Sequence, residues 1–271
     1  MRCLLFLFLC VCQCSGVTVV QLLDSRSGHE WHLDCVEAYS KAHNATLLRR
    51  FLPVLERHVD ALLRKPSELR VVLSSLPHND WMLYLDWDVC VVEKQFSPTA
   101  LVGMVIGATK RSSKCHFVAQ DTKHTVNSGV LFIRNSNLGR AILDRWIAHV
   151  EMRKNQLART NYPHDPLGDQ RAMTNFFMEA AWRSRHRGEH VQNWQDRFSS
   201  NSSICFNLTD AHDSNVCFER YLRELGFPVD DREFGGVCLV SPNQLRFNMH
   251  DCGHHYSAGD LFYHGHPQLT V

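Results

Sequence analysis

Hydrophobic residues along this 271-residue chain follow two alternating periods. Short apolar runs rich in β-branched and aromatic residues, as at 17–23 and 81–85, predict buried strands. Between these runs, apolar residues recur every three or four positions, which predicts helices with one buried face. The alternation of strands and helices indicates an α/β fold with a mostly parallel central sheet covered by helices.

The predicted elements follow one another along most of the chain. We predict strands at residues 17–23, 46–52, 81–85, 101–108, 128–134 and 235–240. We predict helices at residues 29–43, 137–154 and 169–182, and two further helices that begin at Pro53 and Pro66, because proline suits the first turn of a helix. Residues 183–231 are polar and broken, and they predict no element. No repeat or linker divides the chain, so we expect one domain over residues 17–271.

The N-terminal residues have the pattern of a secretory signal. Met1-Arg2 precedes the apolar run 3–12, and small residues follow it, so we expect a signal peptide at residues 1–16 that is removed before Val17. An uncleaved membrane anchor is the alternative if the apolar residues 17–23 extend the run. The sequence predicts a location in the lumen of the endoplasmic reticulum or Golgi, or secretion.

Two further features agree with the secretory lumen. Acceptor sequons for N-linked glycans begin at Asn44, Asn201 and Asn207. Seven cysteines follow the predicted signal, namely Cys35, Cys90, Cys115, Cys205, Cys217, Cys238 and Cys252. We expect disulfides among them, with Cys205–Cys217 as the simplest pair and Cys238–Cys252 as the second.

The charge pattern limits the class of partner. The chain has 29 basic and 28 acidic residues, a net charge of +1, and no long block of either sign. Nucleic-acid-binding proteins carry basic patches or stripes, so this balance argues against a nucleic-acid partner. We expect small or neutral partners.

Two carboxylates lie at the end of the predicted strand 81–85. Asp86 and Asp88 are separated by Trp87, and residues two apart on an extended chain point the same way. A bend at Trp87 therefore lets both carboxylates converge on one divalent cation that holds a phosphate-bearing ligand. Ligands of open α/β sheets bind beyond this carboxyl edge of the strands. A strand followed by a polar turn is the alternative interpretation.

Short polar residues also stand at the start of the predicted strand 128–134. Gly129 permits close approach of the backbone to a ligand, and Asn127 and Ser128 offer groups that bind sugar hydroxyls. A polar turn that leads into a strand explains the same residues.

Three later residues complete the candidate chemistry. Asp169 and Gln170 begin a predicted helix, where Asp169 either caps the helix or orients hydroxyl groups of a ligand. His264 follows the apolar Leu261-Phe262-Tyr263, and its neutral imidazole can complete an oxygen-rich metal site begun by the two aspartates.

The order of these motifs resembles a known family. Leu85-Asp86-Trp87-Asp88, the segment 127–135, Asp169-Gln170-Arg171-Ala172 and Phe262-Tyr263-His264-Gly265 occur in the order typical of the galactosyl/mannosyltransferase family that includes Golgi α-mannosyltransferases and xyloglucan α-xylosyltransferases. The resemblance runs from about residue 18 to residue 266. It implies a GT-A type fold, which is Rossmann-like, and a metal-dependent glycosyltransferase.

The resemblance also implies a role for each candidate residue. Asp88 and His264 would bind the metal, Mn²⁺ or Mg²⁺, and Asp86 would contact the metal or the donor ribose. Asn127, Ser128 and Gly129 would line the donor sugar, together with Trp87 and His266 in the donor-binding set, and Asp169 and Gln170 would lie beside the reacting centre as catalytic residues. The implied partners are a nucleotide-diphosphate sugar donor and a glycan or glycoprotein acceptor, with transfer that retains the anomeric configuration.

Two other functions remain open at this point. Asp86-Trp87-Asp88 followed by Val89 also resembles the signature of haloacid dehalogenase-like phosphohydrolases, in which Asp86 would be the nucleophile and Asp88 an acid/base. That nucleophile strand ordinarily opens its domain, whereas about sixty residues of α/β pattern precede it here. The second alternative is a secreted carbohydrate-binding protein of the same fold without catalysis, in which Trp87 stacks on a sugar.

Overall fold

The computed structural model describes most of the predicted domain. The described residues are 16–23, 30–52, 58–109, 114–121, 126–159, 168–186, 218, 221–223, 225–227, 232–241, 245, 249–250 and 260–264. Apart from Gly16, the predicted signal peptide lies outside them. His266 and the predicted pair Cys205–Cys217 also lie outside the described residues.

The elements alternate much as the sequence predicts. The helices are α1 (Glu30–Ala42), α2 (His58–Ser75), α3 (Pro98–Ala108), α4 (Asn137–Arg159) and α5 (Gly168–Arg185). The strands are β1 (Val17–Leu23), β2 (Thr46–Phe51), β3 (Trp81–Leu85), β4 (Val89–Val91), β5 (Phe117–Asp121), β6 (Val126–Arg134), β7 (Arg232–Phe234), β8 (Val237–Val240), β9 (Met249–His250) and β10 (Phe262–His264).

Seven strands form the central sheet in the order β2-β1-β3-β6-β5-β8-β7. β2, β1 and β3 are parallel, β6 is antiparallel to both β3 and β5, and β7 is antiparallel to β8. Since β5 and β8 are parallel, β6 and β7 alone among these strands oppose the common direction. A second sheet has the order β4-β10-β9. The predicted α/β fold with a mostly parallel central sheet is confirmed.

Helices cover both faces of the central sheet because its strands are apolar on both sides. One core packs α2, α4 and α5 against one face, where Tyr84 and Leu131 belong. The other core packs α1 and α3 against the opposite face, where Leu85 and Phe132 belong. β3 thus alternates its side chains between two buried layers, which explains its continuous apolar sequence.

The prediction of a separate helix beginning at Pro66 is wrong. α2 is one helix that continues through Pro66. An internal proline costs the helix a hydrogen bond and a steric clash, roughly 3 kcal/mol. Here Leu63, Leu69 and Leu73 are buried against the sheet on both sides of the proline, and their packing offsets that cost.

The strand predicted at residues 101–108 is also wrong, since these residues belong to α3. Short apolar runs do not distinguish a buried strand from a buried helix. The residues before the run decide the outcome: the Ser97 hydroxyl accepts a hydrogen bond from the Ala100 amide at 3.2 Å, and Pro98 occupies the first turn. β5 and β7 were not predicted, because each is short and lies in a polar stretch.

Two disulfides lie in the described part of the chain, and neither was predicted. Cys35 of α1 pairs with Cys90 of β4, and Cys115 pairs with Cys238 of β8. The predicted pair Cys238–Cys252 is therefore wrong. Both bonds join residues far apart in the sequence, so short loop spacing was a misleading guide.

Among the helices that the structure describes, none is both long enough and apolar enough to cross a bilayer.

We expect the double variant Cys115→Ala, Cys238→Ala to lower the free energy of unfolding by roughly 2 to 5 kcal/mol, because the bond closes a long loop in the unfolded chain. Urea unfolding of the oxidised protein measures the change. Each single variant, Cys115→Ala or Cys238→Ala, is the control, because either one removes the same bond and should lose about as much stability as the double variant. Single-variant losses that add up in the double variant would contradict the Cys115–Cys238 pairing.

Candidate active site

The candidate site is built on the carboxyl end of β3. Tyr84 faces the α2 side of the sheet, and side chains two apart on a strand share a face, so Asp86 follows Tyr84 toward α2. The Tyr84 hydroxyl donates a short hydrogen bond to Oδ1 of Asp86. Asp86 therefore enters the site already oriented by its own strand.

Lys65 of α2 supplies the positive charge of the site. Its Nζ lies 3.0 Å from Oδ1 of Asp86 and 2.8 Å from Oδ2 of Asp169, and it donates to Ser128 Oγ at 3.1 Å. The same ammonium lies 5.6 Å from the centre of the Tyr84 ring, within the range of a cation–π contact. One buried cation therefore joins residues from α2, β3, β6 and α5.

A bulge in β6 brings Ser128 to this cluster. The pairing of β5 with β6 shifts between Ala119 and Gln120, whose partners are Leu131 and Asn127. If side chains alternated strictly from Leu131, Ser128 would point to the opposite face of the sheet. The bulge shifts this alternation, so Ser128 points toward α2 and α5 instead. Oγ of Ser128 donates to Oδ2 of Asp169 at 2.6 Å and also receives the bond from Lys65.

Asp169 makes tertiary contacts rather than only capping its helix. It lies in the first turn of α5 and is 2% exposed. Its Oδ2 accepts bonds from both Ser128 and Lys65. Gln170 follows it and is partly exposed at the same helix end, where its backbone oxygen accepts a bond from Thr174 Oγ1 at 2.8 Å.

The protonation states in this cluster follow from burial and charge. Burial alone would lower the pKa of Lys65, but the carboxylates of Asp169 and Asp86 outweigh it and raise that pKa above its usual range. Burial, and then the nearby Asp86 carboxylate, raise the pKa of Tyr84 well above its ordinary value. At neutral pH the site therefore holds an ammonium and a neutral phenol.

The turn after Asp86 separates the two aspartates. The Asp86 amide donates to the Gly129 carbonyl at 2.8 Å, and the Val89 amide donates to the Asp86 carbonyl at 3.1 Å. The Trp87 ring lies edge-on to the buried His32 of α1, with their centroids 6.5 Å apart. Asp88 is partly exposed at the end of this turn.

The Asn127 side chain and the Gly129 backbone shape the same edge through hydrogen bonds. Oδ1 of Asn127 accepts the Gly129 amide at 2.6 Å, and Asn127 is 2% exposed. The amide side chain thus braces the bulged segment, and the Gly129 carbonyl holds the Asp86 turn. Both residues lie where the sequence predicts them, beside Asp86.

The small sheet brings the C-terminal motif to the aspartates. β10 pairs with β4 in antiparallel fashion, and His264 pairs with Val89, the residue that follows Asp88. Opposite Cα atoms of such strands are roughly 4.5 to 5.5 Å apart. The His264 backbone therefore lies next to the aspartate turn, while its side chain is outside the described set.

The disulfide Cys35–Cys90 fixes β4 to α1 at this point. Cys90 is two residues beyond Asp88 and pairs with Tyr263 across the small sheet. The bond thus limits how far the aspartate turn and the His264 strand can move away from the central sheet. Among the side chains that the structure describes, no group of three or more His, Cys, Asp or Glu forms a metal site.

Sequence reasoning identified part of this cluster. Asp86, Ser128 and Asp169 were predicted to lie together, and they do. Lys65 and Tyr84 were missed. The position of Tyr84 two residues before Asp86 was an available signal for Tyr84, but a single lysine in a helix offers none.

Comparison with known proteins identifies the family. The sequence profile of the galactosyl transferase GMA12/MNN10 family matches residues 24–204, more than half of the chain. The chain belongs to this family. It is a glycosyltransferase, as the motif order implied, and family membership accounts for a sugar donor and a glycan acceptor in general terms. The match includes the aspartate turn and Asp169, whereas His264 lies beyond it.

Two further comparisons complete the picture. No protein with a curated function matches the sequence. Among solved structures, the chain is similar to a glycosyltransferase involved in the glycosylation of the major capsid of PBCV-1, with a TM-score of 0.42 and 16% identity, over 56% of this chain and 73% of that chain.

We expect Lys65→Met to lower the free energy of unfolding by about 3 to 5 kcal/mol at neutral pH, because it leaves two buried carboxylates without their counter-ion. The raised pKa of Lys65 means that its stabilisation is present below pH ~10 and is lost as the pH rises through the folded pKa. Denaturant unfolding at pH 7 measures the loss, and repeating it at pH 9 tests that the stabilisation persists up to pH ~10.

Arg64→Met is the matched control, since Arg64 is the exposed neighbour on the same helix. We expect its effect to stay within roughly 0.5 kcal/mol. Equal stability of the two variants would show that Lys65 does not stabilise the cluster.

Proposed function

We propose that this glycosyltransferase moves a sugar from a nucleotide-diphosphate sugar to a glycan or glycoprotein, with a divalent cation and with retention of the anomeric configuration. One observation carries the proposal: the strand that ends in His264 pairs beside Asp88, at the same sheet edge as Asp86, Ser128 and Asp169. Four motifs far apart in the sequence thus share one place in the fold.

The residue types at this edge suit a bound cation. Lys65 and Tyr84 already contact the Asp86 carboxylate, so we assign Asp88 and His264 as the direct ligands and Asp86 as a group that contacts the metal or the donor ribose. A carboxylate and an imidazole suit Mn²⁺, and Mg²⁺ is the alternative. Such a cation would neutralise the charge that develops on the departing diphosphate.

The buried polar cluster forms the donor-sugar side of the proposed site. Asn127, Ser128 and Gly129 line this side, and Asp169 with Gln170 lies beside the reacting centre. Lys65 and Ser128 hold the Asp169 carboxylate in one position, so it can orient sugar hydroxyls without rearranging. Trp87 and His266 are assigned to donor binding with these residues.

Retention sets a modest demand on the protein groups. When the acceptor attacks on the face from which the diphosphate leaves, the departing phosphate oxygen can take the acceptor proton. No side chain then needs to be a strong base. Asp169, tied to an ammonium, suits an orienting and stabilising role better than a proton-accepting one.

We place the protein in the lumen of the secretory pathway, after removal of residues 1–16. The two disulfides support this location, because such bonds persist in oxidising compartments. The location also suits a family that includes Golgi enzymes.

The first test is a panel of nucleotide sugars with Mn²⁺, followed by addition of a chelator. We expect transfer from one donor to be abolished by the chelator, and Asp88→Ala to lower kcat/KM by at least about a hundredfold. Asp144→Ala, an exposed aspartate of α4, is the control and should retain full activity. Chelator-resistant transfer would exclude the metal, and release of phosphate from phosphomonoesters would favour the phosphohydrolase instead.

The second test concerns Asp169. We expect Asp169→Asn, which keeps the shape of the side chain, to lower kcat by roughly a hundredfold while the donor KM changes little, because the lost charge acts in the transition state. Steady-state kinetics with the identified donor measure the change, and the melting temperature reports on folding. Native kcat and native KM in this variant would refute the role of Asp169.

A further inference from the structure

We propose that Asn44 carries an N-linked oligosaccharide that covers the exposed edge of the seven-stranded sheet. The inference rests on the lumenal location proposed above, but not on the transfer reaction. It concerns the turn between α1 and β2, where Asn44-Ala45-Thr46 forms an acceptor sequon.

The turn presents Asn44 to solvent. Asn44 is exposed, and its φ of 48° lies in the left-handed region, which asparagine tolerates better than most residues. The backbone N–H of Asn44 donates to the Lys41 carbonyl at 3.2 Å, and the backbone N–H of Ala45 donates to the Ser40 carbonyl at 2.9 Å. The turn backbone is therefore held by its own hydrogen bonds, so the exposed side chain can be modified without unfolding it.

The third residue of the sequon is equally accessible. Thr46 is exposed and is the first residue of β2, where it pairs with Thr18 of β1. Both residues that define the sequon thus lie on the surface of the folded chain. A glycan added during synthesis remains compatible with this fold.

The surface next to Asn44 can accommodate the first sugars. A depression of about 480 Å³ adjoins Asn44 and is lined in part by Glu37, Lys41 and Arg49. Glu37 forms ion pairs with Lys41 at 2.8 Å and with Arg49 at 2.9 Å. These side chains offer donors and acceptors to sugar hydroxyls, so the glycan can lie along the protein surface.

The glycan would cover β2, the edge strand of the seven-stranded sheet, which could otherwise pair with another chain. β2 is the last strand of the sheet and pairs only with β1 among the described strands. An edge strand presents unpaired backbone groups that can recruit another chain. Phe51, at the end of β2, is 75% exposed and adds apolar surface to this edge. A bulky, hydrated oligosaccharide at Asn44 blocks the approach of a second sheet.

The glycan lies away from the candidate active site. Leu85, which precedes Asp86, pairs with Gln21, and Gln21 pairs with Arg49 of β2. Thr46 precedes Arg49 by three residues, so it lies about 10 Å from Leu85 in the direction of the strands. β2 and β3 are two strands apart, which separates the two residues by a further distance of about 10 Å across the sheet. We expect the oligosaccharide to leave sugar transfer unaffected.

The test uses the full chain secreted from eukaryotic cells. Enzymatic removal of N-glycans in heavy-oxygen water converts a glycosylated asparagine to labelled aspartate, which peptide mass spectrometry detects at Asn44. We expect the label in the wild type and in Thr46→Ser, which keeps the sequon. We expect no label in Thr46→Val, which keeps β-branching, or in Asn44→Asp, which suits the same turn conformation.

Self-association measures the protective role. We expect Asn44→Asp and Thr46→Val to form oligomers several-fold faster than the wild type and Thr46→Ser in sedimentation or light scattering. An unmodified Asn44 in folded, secreted protein would overturn the proposed site. An occupied Asn44 whose loss leaves self-association unchanged would overturn the role at the sheet edge. Sugar transfer is assayed separately, so its failure and the absence of the glycan are distinguishable outcomes.

Discussion

The buried ammonium of Lys65 is the interaction on which the candidate site depends. Asp86 directly follows β3 and Asp169 lies in α5, and two carboxylates this close would repel each other without a counter-ion. Lys65 stands between them and also receives support from Ser128. Lys65 neutralises the repulsion between the two carboxylates. Because its partners lie on separate elements, the same ion pairs also fix the relative positions of α2, α5 and the end of β3. Stability and site geometry therefore have one common cause.

The aspartate turn divides the two acids between different surroundings. Asp86 belongs to the central sheet, where Tyr84 and Lys65 bind its carboxylate. Asp88 stands at the entrance to β4 and the small sheet, next to the backbone of His264. The two acids thus have different surroundings: Asp86 is bound within the charged cluster, and Asp88 is partly exposed beside it. The disulfide between Cys35 of α1 and Cys90 of β4 limits the movement of the small sheet relative to α1.

The sequence predicted what local pattern and chain order control. The strand at 81–85, the strand at 128–134 and the helix that begins near Asp169 were predicted correctly, because the spacing of apolar residues and the polar residues at element ends are local signals. The failures involve information that is not local. Pro66 was interpreted as a helix start because the sequence does not show that the residues on both sides of it are buried against the sheet. The disulfide partners of Cys35 and Cys115 likewise depend on the completed fold. Lys65 belongs to the same class, since nothing near it in sequence indicates two distant carboxylates.

The charge balance of the site bears on its proposed dependence on a cation. Among the described side chains of the site, Asp86, Asp88 and Asp169 contribute three carboxylates and Lys65 contributes one ammonium. A nucleotide diphosphate would bring further negative charge into this partly buried edge, where unscreened repulsion is larger than in water. Lys65 cannot relieve that repulsion, because its hydrogen bonds are directed to groups inside the protein. A divalent cation next to Asp88 would offset these two excess negative charges, so the diphosphate would meet much weaker repulsion. On this reasoning the proposed cation and the donor would bind together, and Asp88, the proposed metal ligand, would control the binding of both.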